Sequence, residues 1–525
     1  MRDFHLPGRS PVLATGGMAA TSHTLATQVA VGILARGGNA VDAAIGAAAL
    51  LGQCEPAMTG LFGDCFALVK PAGEDRILAL NGSGRAPAAI DAAAMRASGL
   101  ESIPLHSPDA ISLPGAVDAF CRLSEDWGKL SLADVLEPAI DHAERGVPVA
   151  LRVAWDWSKN AHLLRGEGQR FYLKNGVAYE QGDLFRMPGT AEVLRRIATE
   201  GRAGFYEGEV AEDLLTSLQS LGGVHGAGDL ASTHSDYVDP ISGTYGDFEL
   251  VEHPPNGQGA TAILLLNILA RFDIAGMDPL GAERAHVEAE ATKLAYDARN
   301  RIIADADHVS GLEEMLAPET AAALAARIKP DAVLPPSREF AGSPHSDTVY
   351  LTVVDGAGMA VSLIYSIFKS FGSGHASEKF GLLFHNRGAG FTLEEGHPNE
   401  VGPGKRPMHT IIPAMLRQEG RLVMPFGVMG GQYQAAGHAR FLTNVADYGM
   451  DPQTALDCPR VFPNAHDLHV EPGYAPEVCQ ALADIGHNVV APPSPIGGGQ
   501  AIRIHASGVL EGASDPRKDG CALGL

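Results

Sequence analysis

The sequence predicts a mixed α/β protein that is largely helical in its first half and carries its most regular strands in the second. Apolar residues recur at helical spacing from about residue 91 to 230. Farther along, TVYLTVVD and MAVSLIYSIF alternate around the turn DGAG, a pattern typical of a β-hairpin. Of the 525 residues, 45% are hydrophobic and 19% are charged, which allows a large buried core.

The elements of the first half can be assigned in order. Residues 22 to 51 predict a helix pair divided by the turn Arg36-Gly37-Gly38-Asn39, where the glycines end one helix and Asn39 caps the next. The passage TGLFGDCFALV leads into a strand, and we expect a hairpin within ILALNGSGRAP. After the helical stretch, YGDFELVEH predicts a strand, and ATAILLLNILARF and residues 283–303 predict helices.

The second half begins after a linker. KPDAVLPPSREFAGSPHSD is rich in Pro and Ser and has no periodicity, so it is the strongest linker candidate in the chain. It ends at Asp347, and Thr348 opens the predicted hairpin. Later, LVMPFGVM predicts a strand that runs into Gly430 and Gly431, and QAAGHARFLTNVADYG predicts the helix that follows.

Charge and cysteine usage restrict the partners. The chain has 39 basic and 62 acidic residues, a net charge of −23, so we expect neither a nucleic-acid nor a membrane partner. Six cysteines without CxxC spacing, and histidines without HxxxH or HExxH spacing, predict no metal and no disulfide framework, and no cofactor is expected. Without a signal segment or an apolar stretch of about 18 residues, the sequence predicts a cytoplasmic protein.

The junction between linker and strand suggests a chemistry. If the Asp347–Thr348 bond were cut, Thr348 would carry both a hydroxyl and a free α-amine, and such an amine titrates at about 7.7–8.0. The amine could accept the hydroxyl proton during attack on an amide. Backbone N–H groups of Gly430 and Gly431 could then stabilise the oxyanion. From spacing alone, an ordinary strand start and an ordinary tight turn remain open as alternatives.

Several segments resemble the gamma-glutamyltransferase family. In chain order they are GGNAVDAA, HPPNGQGA, EAEATKLAYDARN, TVYLTVVD, EKFGLLFHN, PGKRPMHTIIP, FGVMGGQ and EGASDPRKDGCALGL. The resemblance implies a four-layer αββα sandwich of the N-terminal-nucleophile hydrolase type and cleavage before Thr348. It also implies a large subunit, 1–347, and a small subunit, 348–525, that stay together as one catalytic domain and need no metal.

The resemblance implies roles for individual residues. Thr348 maps to the nucleophile, and Gly430 and Gly431 map to the oxyanion glycines. Ser366 maps to a second hydroxyl residue that hydrogen-bonds the nucleophile, where Thr is usual. The family forms a covalent acyl-enzyme that is resolved by water or by an acceptor amine, so a small-molecule amide is the expected substrate.

The substrate-binding positions depart from the family pattern. The arginine for the α-carboxylate aligns with Ser83, two residues before Arg85, and the acidic residue for the α-amine becomes Gly390. The remaining positions align with Arg387 (beside Asn386), His409, Thr410 and Phe368. Glycine offers an ammonium no counter-charge, whereas Arg387 offers a fork suited to a carboxylate. We therefore expect a small carboxylated amide donor, as in the branch with oxamate amidohydrolase and cephalosporin-acylase-like proteins.

Two alternatives stay open. The chain could be a true gamma-glutamyltransferase acting on glutathione, with Arg85 and Arg387 re-sited to bind glutamate. It could also be an unprocessed, non-catalytic homologue, although the retained Thr348 and Ser366 argue against this. The acyl group, the acceptor, the balance of hydrolysis and transfer, and a homodimeric state are not determined by the sequence.

Overall fold

The computed structural model describes His5, residues 8–336 and residues 348–525, so Asp347 lies outside the described residues. In chain order the strands are β1 (Val12–Ala14), β2 (Gly17–Thr21), β3 (Asp64–Lys70), β4 (Leu78–Gly82), β5 (Val147–Pro148), β6 (Leu184–Phe185), β7 (Asp236–Val238), β8 (Ile241–Tyr245), β9 (Phe248–Glu252), β10 (Val349–Asp355), β11 (Ala360–Ser366), β12 (Ala414–Gln418), β13 (Arg421–Met429), β14 (Val461–Asn464), β15 (Asp467–Val470), β16 (Asn488–Val490), β17 (Gly498–Ile504), β18 (Leu510–Ser514) and β19 (Cys521–Gly524).

The helices are, in the same order, α1 (Thr24–Ala35), α2 (Ala40–Cys54), α3 (Ala92–Ala97), α4 (Ala116–Trp127), α5 (Leu132–Arg145), α6 (Leu151–Asn160), α7 (Glu167–Tyr172), α8 (Pro188–Glu200), α9 (Ala203–Tyr206), α10 (Gly208–Ser220), α11 (Ala227–Ala231), α12 (Gly259–Leu269), α13 (Ala282–Ile302), α14 (Leu312–Leu316), α15 (Pro318–Ala325), α16 (Gln434–Ala446), α17 (Pro452–Asp457) and α18 (Pro476–Ile485). Helices α3 to α11 form the helical region predicted for the first half. Within the described ranges, no helix is both long and apolar enough to cross a membrane.

Two seven-stranded sheets form the centre of the molecule. The first has the order β1-β18-β17-β13-β12-β9-β8, and the second has the order β19-β2-β10-β11-β3-β4-β7. All neighbours within each sheet are antiparallel. Each sheet contains strands from before residue 348 and strands from after it. A cut at that point would therefore leave two fragments that share every central sheet.

Side-chain alternation along the strands separates the layers. In β10, Leu351 and Val353 pack with helices α1 and α2, whereas Tyr350 and Val354 face the first sheet. On the other side, Val428 of β13 packs with helices α12, α13 and α16. The resulting order of helices, sheet, sheet and helices confirms the four-layer αββα sandwich.

Local sequence signals predicted most helices and strands correctly. Asn39 accepts hydrogen bonds from the backbone of Val41 and Asp42, and the Asp42 carboxylate accepts one from Asn39, which forms the predicted cap of α2. The hairpin expected within ILALNGSGRAP is wrong. The hairpin instead joins β3 to β4, and the chain then leaves the sheet, because the Gly84 N–H donates to the Asp64 carboxylate and not to a strand.

Candidate active site

Thr348, Ser366 and Asp64 lie in a row across three neighbouring strands. Thr348 directly precedes β10, Ser366 ends β11, and Asp64 begins β3, where it is the register partner of Ser366. Side chains alternate between the two faces of a sheet, and these three lie on the face that is turned towards the first sheet. Tyr350 and Ile364, on the same face, pack between the two sheets. The fold thus gathers three polar residues at one end of an apolar interface.

The candidate nucleophile is in contact with its predicted partner. The Thr348 hydroxyl donates to Oγ of Ser366 over 3.4 Å, and the Phe368 N–H donates to the same oxygen over 2.9 Å. Thr348 is 2% exposed and Ser366 is fully buried. The serine hydroxyl is therefore fixed from the backbone of the next turn and can orient the threonine oxygen.

The Gly430–Gly431 loop lies close to this row. Met429, at the end of β13, packs with Tyr350 and Ile364 between the sheets, so the loop starts beside the ends of β10 and β11. Gly430 has φ +117° and Gly431 has φ +55°, the left-handed region that glycine adopts without strain. A Cβ on Gly430 would also lie 2.7 Å from Cα of Gly497. Both glycines are required by the backbone, which leaves their N–H groups unobstructed by side chains.

Buried side chains brace this loop from α13 and the loop before α12. Gln258 donates to the Thr410 carbonyl over 2.6 Å and to the Gly431 carbonyl over 3.4 Å. Arg299 donates to Oε1 of Gln258 over 2.8 Å, and the Tyr296 hydroxyl donates to the Gln432 carbonyl. The loop is thus held through its carbonyls.

Asp64 is the centre of a buried polar cluster. Its Oδ2 lies 3.1 Å from Nε of Arg387 and 3.2 Å from both Nδ1 of His385 and Nε2 of His409, and all four side chains are fully buried. Burial disfavours the Asp64 carboxylate, but its contacts with His385 and His409 outweigh burial and hold the pKa of Asp64 well below its usual range. Asp64 is therefore an anion that anchors Arg387.

One nitrogen of the Arg387 guanidinium has no hydrogen-bond partner among the described residues. Its Nη1 donates to Oγ1 of Thr410 over 3.2 Å, its guanidinium carbon lies 4.4 Å from the centre of the Phe368 ring, and its buried Nη2 has no hydrogen-bond partner among the described residues. Burial lowers the pKa of Arg387 to about 10, which leaves it charged at neutral pH. A buried, charged donor without an acceptor is costly unless a ligand supplies one.

His409 and Thr410 join the Arg387 side of the cluster to the glycine loop. Burial, followed by the charge of Arg387, lowers the pKa of His409 to about 3, so this ring is neutral. Thr410 accepts from Arg387 through its hydroxyl and from Gln258 through its carbonyl, and Gln258 also contacts Gly431. A continuous path of hydrogen bonds therefore links Arg387 to the candidate oxyanion loop.

The other predicted binding residues have protein partners. Arg85 lies 3.5 Å from Asp305 and 3.9 Å from Asp236, and donates to the Gly404 carbonyl over 2.9 Å. Asn386 accepts from the Lys369 N–H and donates to the Leu105 carbonyl. The structure thus brings Arg387, His409 and Thr410 together, and it gives Arg85 and Asn386 contacts that stabilise surrounding loops.

One group of side chains has donors of the kind that bind metals. Nitrogen and oxygen atoms of His286, Glu290 and His487 lie within 4.8 Å of one another. However, Nδ1 of His286 and Nε2 of His487 already share a hydrogen bond of 2.8 Å, and Nζ of Lys293 lies 2.7 Å from Glu290. Because the lysine balances the carboxylate and the rings satisfy each other, this group is complete without a cation.

Sequence reasoning missed Asp64 and Gln258. Asp64 stands in GDCFALV, where it is predicted to be the polar start of a strand, and its partners His385 and Arg387 lie more than 300 residues away. Gln258 falls within HPPNGQGA, which was noted as a family-like segment without a role for the glutamine. The aspartate at the head of an otherwise apolar strand was the available signal for the first.

Comparison with known proteins finds similar sequences over nearly the whole chain. The sequence profile described as Gamma-glutamyltranspeptidase matches residues 26–525. The glutathione hydrolase-like YwrD proenzyme of Bacillus subtilis (strain 168) is 36% identical over 527 residues, covering 98% of this chain and 99% of the relative. The oxamate amidohydrolase proenzyme of Klebsiella pneumoniae subsp. pneumoniae is 34% identical over 530 residues, with coverage of 98% and 99%.

The same similarity holds in three dimensions. The crystal structure of cephalosporin acylase from Bacillus halodurans matches with a TM-score of 0.93 at 36% sequence identity, covering 100% of this chain and 99% of that chain. The three relatives are thus named as a glutathione hydrolase-like protein, an oxamate amidohydrolase and a cephalosporin acylase, and the first two are named as proenzymes.

Proposed function

Because this chain belongs to the gamma-glutamyltranspeptidase family, we propose that it cuts its own backbone before Thr348 and then uses that threonine to cleave a small carboxylated amide. Cleavage would divide the chain into a large subunit, 1–347, and a small subunit, 348–525. The proposal is supported by the contact between the Thr348 and Ser366 hydroxyls and by the relatives named as proenzymes.

Processing and turnover use the same oxygen. In processing, Oγ1 of Thr348 attacks the Asp347 carbonyl, the peptide nitrogen leaves as the α-amine of Thr348, and water hydrolyses the ester to free the Asp347 carboxylate. In turnover, the α-amine accepts the hydroxyl proton as Oγ1 attacks the donor carbonyl. That proton passes to the leaving amine, and water or an acceptor amine resolves the acyl-enzyme.

The Gly430–Gly431 loop supplies the oxyanion donors in this scheme. Its two backbone N–H groups would stabilise the negative oxygen of the tetrahedral intermediates in turnover. Removing one oxyanion donor typically costs about 100- to 1000-fold in rate. The contacts of Gln258 and Tyr296 with the loop carbonyls support a rigid, preorganised loop.

Arg387 is the proposed site for the donor's carboxylate, and its spare Nη2 is the observation that carries this assignment. Asp64 binds both the Gly84 N–H and Nε of Arg387, so Arg387 lies beside the turn that holds Ser83, the position of the family's carboxylate-binding arginine. Gly390 offers no charge for an α-ammonium. A donor with a carboxylate and no α-amine therefore matches the pocket, and glutathione is the second candidate donor.

The test compares donors and variants. We expect the wild-type enzyme to prefer a dicarboxylic monoamide over a gamma-glutamyl anilide by at least about 10-fold in kcat/KM, because an unpaired desolvated ammonium costs a few kcal/mol. Arg387→Gln should lower kcat/KM for the carboxylated donor and leave a neutral amide nearly unchanged. Arg85→Gln is the matched control, since that arginine contacts Asp305 and Asp236.

A variant that restores the family's acidic residue gives a second test of donor preference. Gly390→Asp restores an acidic residue, and its Cβ would lie 3.3 Å from the Met408 carbonyl oxygen, so a shift of a few tenths of an ångström accommodates it. We expect partial recovery of gamma-glutamyl hydrolysis in this variant. Equal use of glutathione and carboxylated amides by the wild-type enzyme would favour the gamma-glutamyltransferase alternative. A cytoplasmic location remains a prediction from the sequence, and a homodimeric state stays open.

A further inference from the structure

The last residues of β13 pair with β17 on one side, and on the other side a side chain replaces the missing partner strand. Strand β12 begins at Ala414, opposite Phe426, and therefore cannot pair with Val428 two residues farther on. The Val428 N–H instead donates to Nε2 of His438, on α16, over 3.2 Å. The histidine thus completes the hydrogen bonding of the strand just before Gly430.

The hydrogen bonds of His438 define its tautomer. Nδ1 lies 2.6 Å from Oε1 of Glu252 on β9, and both side chains are fully buried. Because Nε2 accepts from the Val428 N–H, the ring proton resides on Nδ1 and is donated to Glu252. Glu252 therefore keeps the acceptor nitrogen of His438 directed at the backbone of β13.

The position of Val428 gives this contact a consequence for catalysis. Gly430 follows Val428 by two residues, and both glycines of the loop hold left-handed φ angles that depend on how the strand ends. Oxyanion donors act through accurate placement before the reaction occurs. A shift at Val428 would be transmitted directly to the Gly430 and Gly431 N–H groups.

We propose that His438, oriented by Glu252, is a positioning residue for the Gly430–Gly431 oxyanion loop. It touches neither substrate nor the reacting atoms, and it acts by holding the end of β13. This inference rests on the proposed role of the loop in turnover.

The proton arrangement suggests a specific set of variants. His438→Leu removes the acceptor, whereas His438→Gln retains one, because the amide oxygen can accept from the Val428 N–H. Glu252→Leu keeps a side chain of similar size but removes the acceptor of the Nδ1 proton, so the ring is no longer held with Nε2 towards the Val428 N–H. His286→Leu is the control, because His286 is a buried histidine bonded to His487 and the Lys329 carbonyl, in a group outside the site.

The experiment measures kcat and KM of the processed variants together with their thermal midpoints. For His438→Leu and Glu252→Leu we expect kcat to fall about 10-fold with KM changed less than about 2-fold, because misplaced oxyanion donors weaken transition-state binding alone. His438→Gln should recover most of kcat. His286→Leu should lower the thermal midpoint without this split between kcat and KM.

The outcomes separate this inference from the proposed function. Wild-type kcat in His438→Leu and Glu252→Leu, while Gly431→Val is inactive, overturns the role of His438 and keeps the loop. Wild-type turnover in Gly431→Val overturns the loop itself. If His438→Leu does not fold, Glu252→Leu decides by comparison with His438→Gln: equal kcat values in the two variants overturn the inference, and a selective loss in Glu252→Leu supports it.

Discussion

Thr348 and Ser366 meet because neighbouring antiparallel strands begin and end at the same edge of a sheet. Their hydroxyls lie 3.4 Å apart, and the Phe368 N–H holds the serine oxygen from the following turn. Phe368 itself has φ +78°, an uncommon conformation for a residue other than glycine. Backbone strain of this kind is concentrated at functional sites, in agreement with the proposed role of this edge.

Substitution of Ser366 tests this contact at the level of one hydrogen bond. Ser366→Ala should slow both self-cleavage and turnover about 3- to 10-fold, since one neutral hydrogen bond contributes about 0.5–1.5 kcal/mol. Ser366→Thr restores the hydroxyl and should return both rates close to wild type. Fragment formation on denaturing gels and kcat/KM give the readouts. Wild-type rates in Ser366→Ala would show that the contact is incidental.

At the scale of single residues, the site residues that could be predicted are those within segments that resemble the family. Thr348, Ser366, Gly430 and Gly431 were predicted through resemblance. The structure puts the first two in contact at one sheet edge and starts the glycine loop beside the ends of β10 and β11. Asp64 was not predicted, because its ligands His385 and Arg387 lie far away in sequence and meet it only when β3 pairs with β11. Contacts over such separations depend on tertiary pairing and leave no periodic signal.

At the scale of elements, the junction of β13 and α16 is the critical turn. Gly431 has φ +55°, a conformation that β-branched residues avoid. Gly431→Val should reduce turnover by about 100-fold or more while most of the fold is kept, because the loop would lose its geometry and its N–H placement. Activity assays on a processed, folded sample check this. Near-normal activity would place the oxyanion donors elsewhere.

The C-terminal end of α2 provides a test of pH dependence. Burial raises the pKa of Glu55 from 4.5 to about 7, against the opposing effects of Lys518 and the Ser22 hydroxyl. The fold thus favours the protonated acid. The contribution of protonated Glu55 to the free energy of unfolding is fully present below about pH 4.5. It is lost as pH rises through 7, by up to about 3 kcal/mol.

Glu55→Gln imitates the protonated form and should remove this dependence. We expect the thermal midpoint of the wild-type protein to fall more between pH 5 and pH 8 than that of the variant. Thermal unfolding at both pH values gives the comparison, and other titrating groups contribute equally to both proteins. Identical falls in the two proteins would contradict the assignment of the raised pKa to Glu55.

Most elements were predicted because their signals are local. The cap at Asn39 and the alternation of β10 and β11 depend on neighbours in sequence, and both were confirmed. The expected hairpin within ILALNGSGRAP was wrong. The chain leaves the sheet after Gly82 because the Gly84 N–H donates to the carboxylate of Asp64, which lies in an earlier strand. Element ends that are set by tertiary contacts are therefore the ones that local patterns miss.

At the scale of the whole molecule, strands from both sides of residue 348 alternate within the two sheets. In the second sheet β2 lies between β19 and β10, and β11 lies beside β3. Separation of the fragments would break sheet pairing in both layers, so we expect them to stay associated after cleavage. The order of the four layers was predicted through family resemblance, because periodicity gives strands and helices but does not give their stacking.

The central claim is cleavage between Asp347 and Thr348, and mass spectrometry of the purified protein tests it most directly. The account predicts two fragments of 347 and 178 residues from the 525-residue chain, with Thr348 as the new N-terminus and a free α-amine. The Thr348→Ala variant should remain a single chain without amidase activity. A wild-type chain that stays intact after days of incubation, or that is cut at another bond, would contradict the account.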